Sequence, residues 1–244
     1  MQQYFIRDSV PKKITVYERE TVHHITRVMR MEEGDIVALC GSDSKCFAAQ
    51  ILDHGANYVM FERLYALKAV THPLSITLAL SMIRKSPFEL ALQKAVELGI
   101  EGFIPLATAR SVVKVKPGEA AKKKARYEKI AMEASEQSRR NTVPTIQDVT
   151  TLTALDLSEY DAVYVPYENE DVVPAKEAFK TLKRGMKVLI VIGPEGGFSD
   201  EEIEHLLSLG ATSLSLGPRI LRSETAVFYT LSAINYEMET EVTR

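Results

Sequence analysis

Two glycine-bearing turns near the carboxyl end, "VIGPEGGFSDEEIE" (191–204) and "LSLGPRILRSETAVF" (214–228), hold the residues best suited to chemistry. Each runs from an apolar, strand-like segment through Gly, Pro and polar residues into a helical pattern. In the first, Gly193, Gly196 and Gly197 permit close backbone approach or positive φ, with Ile192, Pro194 and Glu195 beside them. In the second, Gly217 and Pro218 form a turn, and Arg219, Arg222 and Glu224 precede or open the last helix. One such cluster is most simply a β-to-α connection. Two on neighbouring strands suit a ligand held at the carboxyl ends of a sheet.

The residue types restrict that ligand. A phosphate-binding P-loop needs Lys and Ser/Thr after its last glycine, where this chain has "GFSDEE", and no G-x-G-x-x-G is present. Ser199 and Glu202 are spaced as a capping box, and Asp200 and Glu201 add negative charge to the same helical turn. Amides that would greet a phosphate are therefore occupied, and the charge repels one. A nucleoside or a cationic ligand is tolerated; a triphosphate is not. Spacing alone leaves Arg219, Arg222 and Glu224 open between a solvated ion-pair cluster and a site.

The elements that must position these turns alternate strand and helix from Leu74 onward. "LSITLALSMI" is a nearly continuous apolar run, as in a strand covered on both faces. The following helix is expected to start with Ser86 as N-cap, Pro87 at its first position and Glu89 closing a capping box. Phe88, Leu92, Ala95 and Val96 form its apolar stripe. Strand "GFIPLAT", a long basic helix, strand "AVYVPY", helix "DVVPAKEAFKTL", strand "KVLIVIG", helix "SDEEIEHLLSLG", strand "SLSLG" and a final helix from Ser223 follow. Ser223 is a candidate cap for that helix, whose stripe Val227, Leu231, Ile234 and Met238 reads as a packing face. Such alternation predicts an α/β fold with a mostly parallel sheet. The first part is β-rich instead, with short strands separated by Gly, Asn and Asp turns, as in a small β-barrel. Residues 1–70 and 71–244 are the expected domains, joined near "KAVTHP".

Composition sets wider bounds. At 244 residues, with 45% hydrophobic and 26% charged residues, the chain reads as folded, with no bilayer-length apolar run and no signal peptide layout at its start. A cytoplasmic protein is expected. Cys40 and Cys46 flank a hairpin turn, where a disulfide is conceivable although cytosolic cysteines are more often reduced, and the histidines show no zinc-type spacing with them, so no metal is predicted. A net charge of −3 speaks against nucleic acid, yet residues 110–140 carry ten Lys/Arg against four Glu and no Asp.

"IGPEGGFSDEE" followed by "LGPRILRSETA" resembles the paired C-terminal motifs of the RsmE family, uridine-N3 methyltransferases of 16S ribosomal RNA within the SPOUT class. "HHITRVMRM", "LQKAVELG", "RSVVK" and "EQSRRNTVP" extend the resemblance over nearly the whole chain. It implies a PUA-like RNA-binding β-barrel, then a SPOUT α/β domain with a trefoil knot and a homodimer formed through the knotted region. It also implies S-adenosylmethionine on loops matching Pro166, Tyr167 and Glu168, Ile192 to Gly197, and Leu216 to Ala226, the last including Ile220, Leu221, Arg222, Glu224 and Thr225. The partner implied is 16S rRNA or the small ribosomal subunit.

On that reading, Arg222 is a candidate to stabilise a uracil anion, because its fork stays charged and donates several hydrogen bonds. Glu224 or Glu195 is a candidate proton acceptor, with a purely structural Glu224 as the competing reading. The target base must be unpaired or flipped, since N3 lies on the pairing edge. Arg7, Arg27, Arg30, Lys85, Arg110 and Arg140 are the expected RNA contacts, while "KKKARYEK" (122–129) reads as a solvated helix face. Two departures from the family stand out: Gln3 where Arg is common, and Arg139 where Gly is frequent. The competing function is a non-catalytic RNA-binding or ribosome assembly factor; a nucleotide-using α/β enzyme is disfavoured by the acidic turn.

Overall fold

In the computed structural model of this chain, residues 1–69, 71–111, 118–167 and 172–238 are described. The chain divides into two compact units, Met1–Thr71 with Ser135–Val143, and His72–Ala134 with Pro144–Arg244.

The first unit is a curled five-stranded sheet. Its strands are β1 (Gln3–Phe5), β2 (Lys13–Val16), β3 (Ile36–Cys40), β4 (Cys46–His54) and β5 (Val59–Ala66), in the order β1-β3-β4-β5-β2. β1 runs parallel to β3 and the other pairs are antiparallel. Irregularities in β4 between Ala48 and Ala49 and between Ile51 and Asp53 bend the sheet. Val37, Leu39, Ile51, Val59 and Phe61 fill its inside, covered by Val22 of α1 (Arg19–His23) and Ile25 of the π-turn that follows. Of the two states the sequence leaves open for the cysteines, the disulfide is present: pairing of β3 with β4 sets Cys40 opposite Cys46, with 4.1 Å between their Cα atoms.

Ser135–Val143 completes this unit. The long basic helix α3 (Ala120–Gln137) ends with the Arg140 amide bonded to the Ser135 carbonyl and the Arg139 amide to that of Glu136. That pattern is a Schellman cap, which needs a left-handed residue after the helix, and Arg139 supplies it at φ 58°. The family's frequent Gly at this position thus has a steric reason. The cap fixes the Arg140 carbonyl, which accepts from the buried Gln3 side-chain amide at 2.6 Å. Glu136 accepts from the Phe5 amide, and Asn141 donates to Cys46 Sγ. Gln3 therefore serves as a structural hold.

The second unit is an all-parallel sheet. Its strands are β6 (Ser75–Ser81), β7 (Gly102–Ala107), β8 (Thr145–Ile146), β9 (Thr150–Thr151), β10 (Ala162–Pro166), β11 (Val173–Pro174), β12 (Lys187–Ile192) and β13 (Thr212–Ser215). The order is β11-β13-β10-β12-β6-β7-β8, with β9 also on β7. β6 and β12 sit centrally, and Ile76, Leu78, Leu80, Val188, Leu189 and Ile190 are fully buried, which explains their unbroken apolar runs. α6 (Ser223–Met238) packs on α2 (Lys85–Glu97) and β12 through Val227, Leu231 and Ile234, the expected stripe. His72 Nε2 donates to Asn235 Oδ1 (2.7 Å) and Asn235 Nδ2 to the Leu98 carbonyl (2.9 Å), fixing the helix's position along its axis.

Three local expectations are corrected. α2 starts at Lys85 with Arg84 as its N-cap and no side-chain cap, so Ser86 lies within the helix, and the Glu89 carboxylate is paired with Arg126 of α3 in two prongs. Helix "DVVPAKEAFKTL" shrinks to α4 (Ala175–Phe179), since Val173 and Pro174 pair with β13 as an edge strand. Ser223 is the first residue of α6 and not the residue before it, and its hydroxyl donates to a carbonyl of the first glycine turn, as described next. No helix among the described residues is long and apolar enough to cross a membrane.

Candidate functional site

Both glycine turns leave the carboxyl end of the parallel sheet and meet in one cleft of about 420 Å³, within the usual range for small-molecule sites. β12 ends at Ile192, and the chain turns through Pro194–Gly197, closed by the Gly197 amide on the Pro194 carbonyl. Gly197 holds φ 68°, and a Cβ at Gly193 would stand 3.1 Å from the buried Phe198 ring, so neither position accepts a side chain without strain. α5 (Asp200–Ser208) follows, with the capping box between Ser199 and Glu202 formed as its sequence implied.

Two further contacts set the shape of this turn. Arg110, from the segment after β7, donates through Nη1 to the carbonyls of Gly196 (3.2 Å) and Phe198 (3.0 Å). Glu202 accepts the Ala109 amide on Oε1 (2.7 Å) and the Ser199 amide on Oε2 (2.9 Å). Two carbonyls of the turn are thus tied by Arg110, which itself lines the cleft.

The second turn is tied to the first. Ser223, buried at the start of α6, donates its hydroxyl to the Gly193 carbonyl at 2.8 Å. Leu216, Gly217, Arg219, Ile220 and Leu221 line the opposite side, and Ala226 reaches it from the first turn of α6. Pro166 and Tyr167, at the end of β10, form the third wall, with the Tyr167 amide on the Leu214 carbonyl.

Of the expected cofactor residues, Pro166, Tyr167, Ile192, Gly193, Pro194, Glu195, Gly196, Gly197, Leu216, Gly217, Ile220, Leu221 and Ala226 line the cleft. Pro218, Arg222, Glu224 and Thr225 do not line it; Arg222 is exposed between two lining residues, Leu221 and Ser223, and so stands at the rim. Glu168 and most of "RSVVK" lie outside the described residues. Arg110, Val172, Phe198, Leu214, Ser215, Arg219 and Ser223 also line it outside the expected cofactor set, although Phe198 directly follows the glycines as an apolar residue in a polar turn. Of the expected RNA contacts, Arg7, Arg27 and Arg30 are exposed in the first unit, with Arg7 3.9 Å from Glu18, and Lys85 is exposed in the second.

The electrostatics match the sequence argument. Asp200, Glu201 and Glu202 crowd the first turn of α5. The Glu201 carboxyl is held below the usual carboxylate range by its backbone amide and by Ser199, with Arg110 adding to the effect. Negative charge therefore sits at the start of α5, while the lining itself carries Arg110 and Arg219 against Glu195.

Residues 70–235 match the RNA methyltransferase domain family, and residues 17–58 match the RNA methyltransferase PUA domain. The chain is 38% identical to the ribosomal RNA small subunit methyltransferase E of Bacillus subtilis, an alignment covering 98% of each chain. The chain belongs to the ribosomal RNA small subunit methyltransferase E family. The Neisseria gonorrhoeae member, solved with S-adenosylmethionine bound, is 27% identical, covers 97% of each chain and superposes with a TM-score of 0.85. A Legionella pneumophila protein, also solved with S-adenosylmethionine, is 29% identical over 96% of each chain with a TM-score of 0.84. The PUA-like sheet and the parallel α/β sheet are the architecture of this methyltransferase E family.

Proposed function

We propose that the chain transfers a methyl group from S-adenosylmethionine to N3 of a uridine in 16S ribosomal RNA. The observation that carries this reading is the joining of the two glycine turns around one cleft, with backbone groups and apolar side chains inside and acidic charge beside it. When bound, the cofactor supplies an electrophilic methyl group on a sulfonium centre. Gly193–Gly197 and Leu216–Leu221 would hold its nucleoside by backbone hydrogen bonds and apolar contact, and Tyr167 would close the third side.

Uridine N3 must lose a proton, and the negative charge then spreads to the flanking carbonyl oxygens. On this reading Arg222, exposed between the lining residues Leu221 and Ser223, would donate to those oxygens, and Glu195, which lines the cleft, would be the proton acceptor. Glu224, in the first turn of α6 and outside the lining, fits a supporting role. The exposed arginines of the PUA-like sheet would hold RNA phosphates without reading sequence.

We also infer that two copies associate through α6. Thr225, Tyr229, Ser232 and Tyr236 share one exposed face at helical spacing, and Tyr236 is 84% exposed, an unusual setting for so large a ring. This face supports the dimeric arrangement that the family resemblance implies.

The test has two parts. Calorimetry of the purified protein with S-adenosylmethionine should show one site per chain. Mass mapping of 16S rRNA from a strain lacking the gene should show one uridine losing a methyl group and regaining it on complementation. Cofactor binding without a methylated nucleotide would leave the assembly-factor reading standing.

A further inference from the structure

A second cleft, of about 320 Å³, lies in the same unit, and its floor begins on the strand next to the first. β6 and β12 are paired with Leu80 level with Ile192. Beyond that pair, one strand continues into Gly193 of the first cleft and the other into Met82 and Ile83 of the second. Neighbouring strands stand about 4.8 Å apart, so the two clefts arise side by side on one edge of the sheet.

The lining of the second cleft is of two kinds. Met82, Ile83, Phe88 of α2 and Tyr127 of α3 make an apolar and aromatic wall, with Phe88 and Tyr127 ring centroids 5.0 Å apart. Lys85, Lys122, Lys123 and Arg126 form the rim, against Glu89 and Glu119. Arg126 neutralises Glu89 through the two-pronged pair, its Nη2 at 2.6 Å from Oε2. Three lysines then face one carboxylate. Their neighbour Lys124 is not among the lining residues and pairs with Asp148 at 3.1 Å. The run "KKK" is therefore divided in use: one member braces the fold and two edge a cavity.

We propose that this second cleft seats a nucleotide of single-stranded RNA flanking the methylated one, its phosphate on Lys122 and Lys123 and its base against the apolar wall. An apolar wall with a cationic rim is complementary to a nucleotide, which has apolar faces and one negative charge per phosphate. Contact with the apolar wall is open to the face of any base, so the seat sets the path of the strand. The inference rests on the reading that the protein acts on RNA, and it revises the view of residues 122–129 as only a solvated face.

The test uses the full chain, as wild type, Lys122→Ala/Lys123→Ala and Lys122→Arg/Lys123→Arg, with a fluorescently labelled single-stranded 16S rRNA fragment. The alanine pair should bind RNA about tenfold more weakly at low salt, with a log–log salt slope shallower by about 0.7, for the one phosphate the two lysines share. The arginine pair should bind about as tightly as wild type, and all three should bind S-adenosylmethionine equally. The same fragment carrying 4-thiouridine should photo-crosslink to peptides containing Met82–Phe88 or Glu119–Tyr127. Unchanged RNA affinity and salt slope in the alanine pair, or crosslinks that all map elsewhere, would overturn the proposal. The binding measurement is independent of methylation, so a wild type that binds RNA through these lysines but methylates nothing would fault the proposed activity and spare the second cleft.

Discussion

The hydroxyl of Ser223 donates to the carbonyl of Gly193 at 2.8 Å, joining the first residue of the last helix to the first residue of a turn thirty positions earlier. The cleft depends on this bond because its two sides come from separate connections. Ser223→Ala should lower S-adenosylmethionine affinity several-fold while costing only about 0.5–1.5 kcal/mol of stability, the usual net worth of one such bond. Calorimetry and thermal melting on the same preparation separate the two effects.

Arg110 offers a second test, because sequence and structure give it different duties. As a phosphate contact, its loss would flatten the salt dependence of RNA binding. As a brace on the Gly196 and Phe198 carbonyls, its loss would loosen the turn. We expect Arg110→Ala to weaken cofactor binding and leave the RNA salt slope unchanged, with Arg110→Lys failing to rescue because one ammonium does not reproduce the planar fork.

The Glu89–Arg126 pair makes stability depend on pH in a defined direction. The hydrogen bond from Arg126, chiefly, and then the charges of Arg126, Lys85 and Lys123 hold the Glu89 carboxyl below its ordinary value. A lowered folded-state pKa contributes stability above the unfolded value, about 4.3, and loses it as pH falls through the folded one. The melting-temperature gap between wild type and Arg126→Met should therefore be constant at neutral pH and close in acid below about pH 4.

Arg139 occupies the left-handed position of the Schellman cap. The strain of a side chain there, about 1–2 kcal/mol, exceeds the roughly 0.5–1 kcal/mol that glycine's extra unfolded freedom costs. Arg139→Gly should leave the melting temperature unchanged or raise it, while Arg139→Val should lower it.

The parts of the fold legible in the sequence were those decided by near neighbours. Strands of the first sheet, the stripe of α6 and the capping box at Ser199 and Glu202 each depend on residues within a few positions, and all formed as their patterns implied. The expected box at Ser86 and Glu89 has the same local signature and did not form: the helix begins before Ser86, with Arg84 as its N-cap, and Glu89 pairs with a guanidinium from another helix. Val173 and Pro174 lost their helical reading to a strand that follows much later in the chain. Most of the cofactor loops were legible through their glycines. Arg110 was not, since its partners are backbone carbonyls that no spacing rule connects to it.

The capped segment Ser135–Val143 bears on how this protein is made. A nascent chain that has already released β1 to β5 still lacks the stretch that receives the Gln3 side chain and the Phe5 amide. The amino-terminal portion must wait, incomplete, until much of the next has been synthesised. A fragment ending at Thr71 should thus be a poor autonomous module, and grafting it onto another enzyme would transfer the sheet without its fastening.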